Sequence, residues 1–277
     1  MELSDRVALI PGASRPIGRA IADIFGSNGA TLILPFYKDW PDSTVEMKRH
    51  FNRAGYDFLS IECDLTREDE TETLLAQVES NYGVLHYLIN NIERGGMPIV
   101  HGSYELEINQ GQWDLEFNTT LKAKWNLFNN SLHLLKKSNR SAVVNISSIA
   151  GLTGRSGPVA PLFNDGYSAA NCGISSFTRQ WAKEAAPEIR VNEIMLGLFK
   201  TRHGEETRGW SLLSSEQKEA IINRTLMART GNPEEVAELA YFLAAKAGYM
   251  SGSTIVLDGG YLVGAEDVKP IGEGILG

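Results

Sequence analysis

Ile10-Pro11-Gly12-Ala13-Ser14-Arg15-Pro16-Ile17-Gly18-Arg19 lies between a short β-rich run, Arg6–Pro11, and an apolar-periodic segment from about Pro16 to Asn28. A glycine-containing turn between a first strand and a first helix is where a pyrophosphate can rest. The helix N-terminus offers unpaired N–H groups and the positive end of its dipole. Gly12 permits a tight turn and close backbone approach, and Gly18 lets the helix pack closely on a sheet. Pro16 suits the first helical position because its fixed φ is that of a helix start.

Outward from this turn, strand-like and helix-period segments alternate. Strands are predicted at Thr31–Phe36, Phe58–Cys63, Val84–Asn90, Ala142–Ser147, Ile189–Met195 and Thr254–Leu257. Helices are predicted at Val45–Ala54, Glu68–Tyr82, within Gln112–Lys137 as one long helix, and at Tyr167–Ala185 and Pro233–Ala245. This alternation predicts an α/β fold: a single doubly wound parallel sheet with helices on both faces. There is no internal repeat and no low-complexity linker, so residues 1–277 read as one domain. Two connections exceed what such a sheet needs, Ile92–Gly111 and the lid-like Phe199–Arg229. Both follow strand C-termini, where ligands bind in these sheets.

The chain has 277 residues and a net charge of −8, which argues against nucleic acid as the main partner. Its two cysteines, Cys63 and Cys172, are far apart, and its five histidines show no ligand spacing, so no metal site is expected. The N-terminus does not read as a signal peptide and no apolar stretch reaches about 20 residues, so no membrane partner is expected and the protein is read as cytoplasmic.

Further motifs make the pattern specific. Cys63-Asp64-Leu65-Thr66 ends strand three, and Asn90-Asn91 follows strand four. Val144-Asn145-Ile146-Ser147-Ser148-Ile149-Ala150-Gly151 covers strand five. Tyr167-Ser168-Ala169-Ala170-Asn171 opens a helix, Val191-Asn192-Glu193-Ile194 and Gly197 follow the strand-six pattern, and Arg229–Ala237 and Leu257-Asp258-Gly259-Gly260 close the chain. In this order the motifs resemble those of the short-chain dehydrogenase/reductase family over nearly the whole length, with its Rossmann-type fold.

The resemblance implies a nicotinamide cofactor. It places cofactor contacts at Gly12, Ser14, Arg15, Ile17 and Gly18 in the turn, at Asp64, Leu65 and Asn91 after strands three and four, at Tyr167 and Asn171, and at Thr201 after strand six. It implies catalysis by a tyrosine that exchanges a proton with a hydroxyl/carbonyl pair, a serine that holds the substrate oxygen, a lysine four residues after the tyrosine, and an asparagine on the preceding long helix. Here the serine and tyrosine are Ser148 and Tyr167. The lysine position is Asn171, and a gapless alignment from Trp113-Asp114 puts Thr120 at the asparagine position. Lys200 or Arg202 is then a possible source of a substitute cation.

Other departures are Pro11 and Pro16 in the turn, Leu196 before Gly197, and Ile92-Glu93 where the family has Ala-Gly. Glu93, Phe163, Gly197 and Phe199 are the expected substrate-pocket residues, and Arg155–Gly166 is expected to shape that pocket. Strand two ends in Phe36-Tyr37-Lys38 rather than an acid, and Arg15 stands in the turn. This favours NADP(H), with NAD(H) possible.

The expected activity is NAD(P)-dependent carbonyl reduction or alcohol oxidation on a small or medium organic molecule. Two other uses of the scaffold stay open: a non-redox elimination, isomerisation or dehalogenation, and a dinucleotide sensor or partner subunit with weak catalysis. The family usually forms dimers or tetramers through the two long helices, so a homodimer or homotetramer is implied, and the tail Tyr261–Gly277 is placed to reach a neighbouring subunit.

Overall fold

The computed structural model describes residues 1–38, 40–92, 107–201 and 210–264. Seven strands, β1 (Val7–Leu9), β2 (Thr31–Phe36), β3 (Phe58–Glu62), β4 (Tyr87–Asn90), β5 (Ser141–Ser148), β6 (Ile189–Leu196) and β7 (Thr254–Leu257), form one sheet in the order β3-β2-β1-β4-β5-β6-β7. Every pairing is parallel. The chain order reverses between β1 and β4, which opens the crevice at the C-terminal ends of those strands.

The helices are α1 (Pro16–Ser27), α2 (Pro41–Ala54), α3 (Glu68–Tyr82), α4 (Glu107–Glu116), α5 (Ala123–Leu135), α6 (Ala150–Thr153), α7 (Asp165–Ala185), α8 (Ser215–Arg224) and α9 (Pro233–Tyr241). The sheet is apolar on both faces because helices cover both. Ile21, Phe25, Met47 and Val236 pack on one side with Leu32, Ile89 and Val144. Leu74, Leu127, Phe128 and Trp181 pack on the other with Leu9, Leu88 and Val143. A third cluster, including Ile149, Leu162, Phe163, Tyr167, Leu198, Leu213 and Tyr261, lies beyond the strand ends. Each such side chain contributes roughly 1.5–3 kcal/mol on burial.

Two helices predicted as continuous are not. The long helix around Trp113 is interrupted by a π-helical stretch, Phe117–Lys122, between α4 and α5, and α9 passes into a second one, Phe242–Lys246. A π-helical stretch inserts residues into the 3.6-residue repeat, which hydrophobic periodicity alone does not register. The amphipathic helix of the lid is α8, started by a capping box in which Ser214 and Gln217 exchange bonds. No helix among the described residues is long and apolar enough to cross a membrane. Residues 202–209 of the lid and 265–277 of the tail lie outside the described residues.

Candidate active site

The turn after β1 is held by contact between backbones. Gly12 has φ +74°, and a Cβ there would stand 2.6 Å from the Asn91 carbonyl oxygen. A Cβ on Gly18 would stand 2.3 Å from the Gly12 carbonyl oxygen, so any side chain at either glycine closes the gap between β1, α1 and β4. Pro16 is the first residue of α1, and no acidic residue lies in that helix's first turn. An uncompensated positive helix end therefore faces the crevice.

At the far side of the turn, the Arg15 guanidinium lies over the Trp40 ring at 3.8 Å, and Arg15 Nη1 donates to Ser43 Oγ at 3.4 Å. Phe36, Tyr37, Arg15 and Trp40 line the same end of one cleft of about 490 Å³. Asp64 lies along its wall. Its carboxylate accepts from Thr66 N and Oγ1, and its own N–H donates to Glu70 Oε2. Neighbouring Cys63 is buried beside Glu70, Asp64 and Asp69. Burial first, then those charges, push its thiol up to about 12, which makes it inert.

The other end of the cleft holds Ser148 and Tyr167 with Phe163, Leu162, Leu196, Gly197, Leu198, Phe199 and Thr201. Ser148 closes β5, and its Oγ accepts from Ala150 N at 3.2 Å. Tyr167 lies in the first turn of α7, where Asn164 caps the helix by accepting from Tyr167 N at 2.6 Å. The Tyr167 ring lies 5.6 Å from that of Phe163.

Buried polar links fix α7 against the sheet. Asn90 Nδ2 donates to Asn145 Oδ1, and Asn145 Nδ2 donates to Thr178 Oγ1, both at 2.9 Å. Ser147 Oγ and Ser175 Oγ donate to Glu193 Oε1 at 2.5 and 2.8 Å, and Thr254 Oγ1 donates to Glu193 Oε2 at 2.6 Å. These bonds set the height of Tyr167 relative to Ser148.

Of the residues singled out in the sequence, Gly12, Ser14, Arg15, Ile17, Asp64, Leu65, Asn91, Ser148, Phe163, Tyr167, Gly197, Phe199 and Thr201 all line this cleft. Gly18 stands one layer behind it, against Gly12. Two expectations are corrected. Thr120 does not line the cleft: it is buried, and its Oγ1 donates to Glu116 Oε2 at 3.2 Å. Leu115, Thr119 and Ala123 line the cleft instead, while Thr120, within the π-helical stretch, is turned into the interior. Asn171 also lies behind the lining. Its Nδ2 donates to the Tyr167 main-chain carbonyl at 3.0 Å, while its buried Oδ1 has no partner among the described residues. Lys200 is exposed. Glu93 and Arg202 lie outside the described residues.

Sequence reasoning missed Trp40, Thr119 and Lys124. Lys124 is buried, and its Nζ donates to the carbonyls of Ile92 and of Thr120, the latter at 3.0 Å. Its only signal was its place between Ala123 and Trp125. No group of three or more His, Cys, Asp or Glu able to hold a metal occurs among the described residues.

A family model described as Enoyl-(Acyl carrier protein) reductase matches residues 12–262, from the first glycine of the turn to the segment after β7. The chain belongs to the short-chain dehydrogenase/reductase family. It is an oxidoreductase of that family. It is 29% identical over 266 residues to 3-oxoacyl-(acyl-carrier-protein) reductase FabG of Thermotoga maritima, covering 95% of this chain and 100% of the relative. A solved structure from Agrobacterium tumefaciens, described provisionally as a gluconate dehydrogenase, superposes with a TM-score of 0.80 at 27% identity, covering 94% of this chain and 97% of that one. A Serratia marcescens short-chain dehydrogenase/reductase variant superposes at 0.78 with 20% identity over 94% of this chain and 99% of that one, a likeness of fold alone.

Proposed function

We propose that this oxidoreductase uses NADP(H) and works in the direction of carbonyl reduction on a small or medium, largely apolar molecule. One observation carries the reading: the glycine turn with its helix end and the Ser148–Tyr167 pair line opposite ends of a single cleft. A dinucleotide fits the residues present. The narrow turn at Gly12 and Gly18 and the acid-free first turn of α1 suit a pyrophosphate, with the N–H of Ile17 kept where Pro16 has lost its own. Arg15, held flat against Trp40, presents its guanidinium where a ribose 2′-phosphate would lie, and Phe36-Tyr37-Lys38 offers no acid to repel it. Asp64 and Leu65 would border the adenine, and Asn91, Tyr167 and Thr201 the nicotinamide ribose. When bound, the nicotinamide supplies or removes the hydride.

The chain's own residues do the rest. Ser148 Oγ donates to the substrate oxygen, and Tyr167 delivers its hydroxyl proton to that oxygen as negative charge builds there. Position 171 supplies no ammonium group, and an ordinary phenol, with a value of about 10, carries its proton near neutral pH. It therefore serves as a proton donor more readily than as an acceptor, which favours reduction. Phe163, Leu162 and Leu198 exclude water from the same end. The Thermotoga maritima relative is named a 3-oxoacyl-(acyl-carrier-protein) reductase, so an acyl-carrier-bound ketone is one substrate class to include in a panel.

The reading is tested by titrating the purified protein with NADPH, NADH, NADP⁺ and NAD⁺, followed by turnover on a carbonyl panel. Micromolar binding of the phosphorylated pair with NADPH-dependent carbonyl loss is the expected result. Binding without turnover would support a dinucleotide sensor, for which the amide of Asn171, bonded into its own helix, already argues. No binding of any of the four would overturn the proposal.

A further inference from the structure

We propose that Tyr261 is a specificity-determining positioning residue, which fixes the wall of the substrate end of the cleft through one hydrogen bond to the loop between α6 and α7. Its kinetic consequence rests on the reductase reading above; its structural consequence does not. Tyr261 is fully buried, and its Oη accepts from Val159 N at 3.1 Å. Val159 is fully buried too, and its carbonyl accepts from Leu162 N at 2.8 Å, which closes the turn Ala160–Leu162. Leu162 and the next residue, Phe163, line the cleft, and the Phe163 ring lies 5.6 Å from that of Tyr167. Two hydrogen bonds and one ring contact thus lead from Tyr261 to Tyr167.

The local chain geometry brings this hydroxyl to this amide. After β7 the chain turns at Gly259 and Gly260, both at positive φ, and the Asp258 carboxylate accepts from Gly260 N and Leu262 N at 2.8 Å each. A Cβ on cleft-lining Gly197 would stand 2.6 Å from Asp258 Cα, so this turn lies directly behind the cleft. On the loop side, a Cβ on Gly157 would stand 3.1 Å from Tyr261 Oη, and φ there is +77°. The loop's ends are tied by the Arg155–Asp165 ion pair at 3.3 Å, and its buried middle is held by Tyr261.

A buried main-chain N–H is costly when its acceptor is removed, so the loop is held in the conformation that meets Tyr261 Oη. The ring serves a second element. Arg224 of α8 lies over it at 5.2 Å, and Leu213 and Ile221 of the lid share its apolar cluster with Leu162, Phe163 and Tyr167. Tyr261 therefore joins the lid helix to the loop behind the substrate end. A carbonyl compound is selected by the space that Leu162, Phe163 and Tyr167 leave, and that space depends on a residue that does not itself line the cleft.

The test begins without cofactor or substrate. Tyr261→Phe keeps the buried ring and removes only the acceptor. In hydrogen exchange of the full chain, the Val159 amide should exchange about tenfold faster, while the amides of β5 and of the middle of α7 keep the parent's rates. N-acetylimidazole, which acetylates accessible tyrosine hydroxyls, should modify Tyr167 about threefold faster or more in the variant, and Tyr87, buried in the core, at the parent's rate. In NADPH-dependent turnover, KM for cyclohexanone should rise by about fivefold with kcat changed less, KM for the bulkier benzophenone should rise less, and the Kd of NADPH should stay as in the parent. Faster exchange at Val159 together with faster acetylation of Tyr167 sustains the positioning role even if no carbonyl is turned over, a result that would overturn the reductase reading alone. If either rate is unmoved, or if Tyr87 and β5 change in step, Tyr261 only stabilises the fold and the proposal is wrong. Equal changes of KM for the two ketones would overturn its role in specificity.

Discussion

Asn171 Nδ2 donates to the main-chain carbonyl of Tyr167 at 3.0 Å, four residues back along α7. The side chain that follows the tyrosine by one helical turn is therefore bonded into its own helix and carries no charge toward the phenol. Its buried Oδ1 has no partner among the described residues. An amide in this place cannot stabilise a tyrosinate as an ammonium group would.

Replacing Asn171 by lysine should raise kcat for carbonyl reduction at neutral pH by about tenfold or more. Proton-transfer assistance as a whole is typically worth ~10²–10⁴-fold, and part of it is retained through Tyr167. The pH–rate profile should shift toward lower pH together with the gain. An unchanged profile would mean that tyrosine ionisation does not limit the reaction, and Tyr167→Phe would then be the informative comparison.

Arg15→Ala should weaken NADPH binding by roughly tenfold to a hundredfold, because charge-assisted bonds to a phosphate are worth about 1.5–3 kcal/mol. NADH binding should change little, since it lacks the phosphate. Calorimetric titration of both nucleotides separates the cases: an equal loss for each would show that the guanidinium on Trp40 serves the adenine rather than a 2′-phosphate.

Glu193 accepts from Ser147, Ser175 and Thr254 with no exposure to solvent. Glu193→Gln should destabilise the fold by about 1–3 kcal/mol in urea unfolding, because the amide nitrogen cannot accept the bond its oxygen did. Glu193→Leu should cost more, leaving all three hydroxyls without this acceptor. A neutral result for both would mean that the hydroxyls find other partners and that α7 is held to the sheet by the Asn145–Thr178 bond alone.

His86 is buried, its Nδ1 accepts from Val7 N at 3.0 Å, and burial, with a smaller effect of Arg6, lowers its ring to about 4. The unfolded chain binds a proton near 6.5 and the folded one does not until about 4. The stabilisation from keeping this ring neutral is therefore complete above about pH 6.5 and is lost as pH falls toward 4. Urea midpoints measured across that window should fall with acidification. His86→Phe should flatten the slope while costing about 1–3 kcal/mol at pH 7, through the unpaired Val7 N–H. A slope unchanged in the variant would assign the acid sensitivity to carboxylates instead.

The strand and helix alternation, the glycine turn and the Ser148 and Tyr167 motifs were legible because each depends on neighbours in sequence. A strand followed by Gly12, Pro16 and Gly18 specifies a βα turn by local sterics, and apolar runs such as Val143–Ile146 specify strands buried on both faces. Glycine spacing marks Gly12 and Gly18 as well, although only the packing shows that Asn91 and Gly12 themselves are what they must admit.

The site's electrostatics were decided by tertiary structure. Alignment along the chain put Thr120 at a catalytic position, but Thr120, within the π-helical stretch, is turned into the interior and Leu115, Thr119 and Ala123 line the cleft. Trp40 lies outside every motif, and it meets Arg15 only because α2 returns over the turn. Lys124 reads as an ordinary surface lysine until the fold buries it with its Nζ on the Ile92 carbonyl that follows β4. Sequence alone determined the sheet, its order of elements and the tyrosine and serine, because backbone sterics and hydrophobic periodicity act over a few residues. Which residues face the cleft depended on helices and strands far apart in the chain being brought together, which no local pattern encodes.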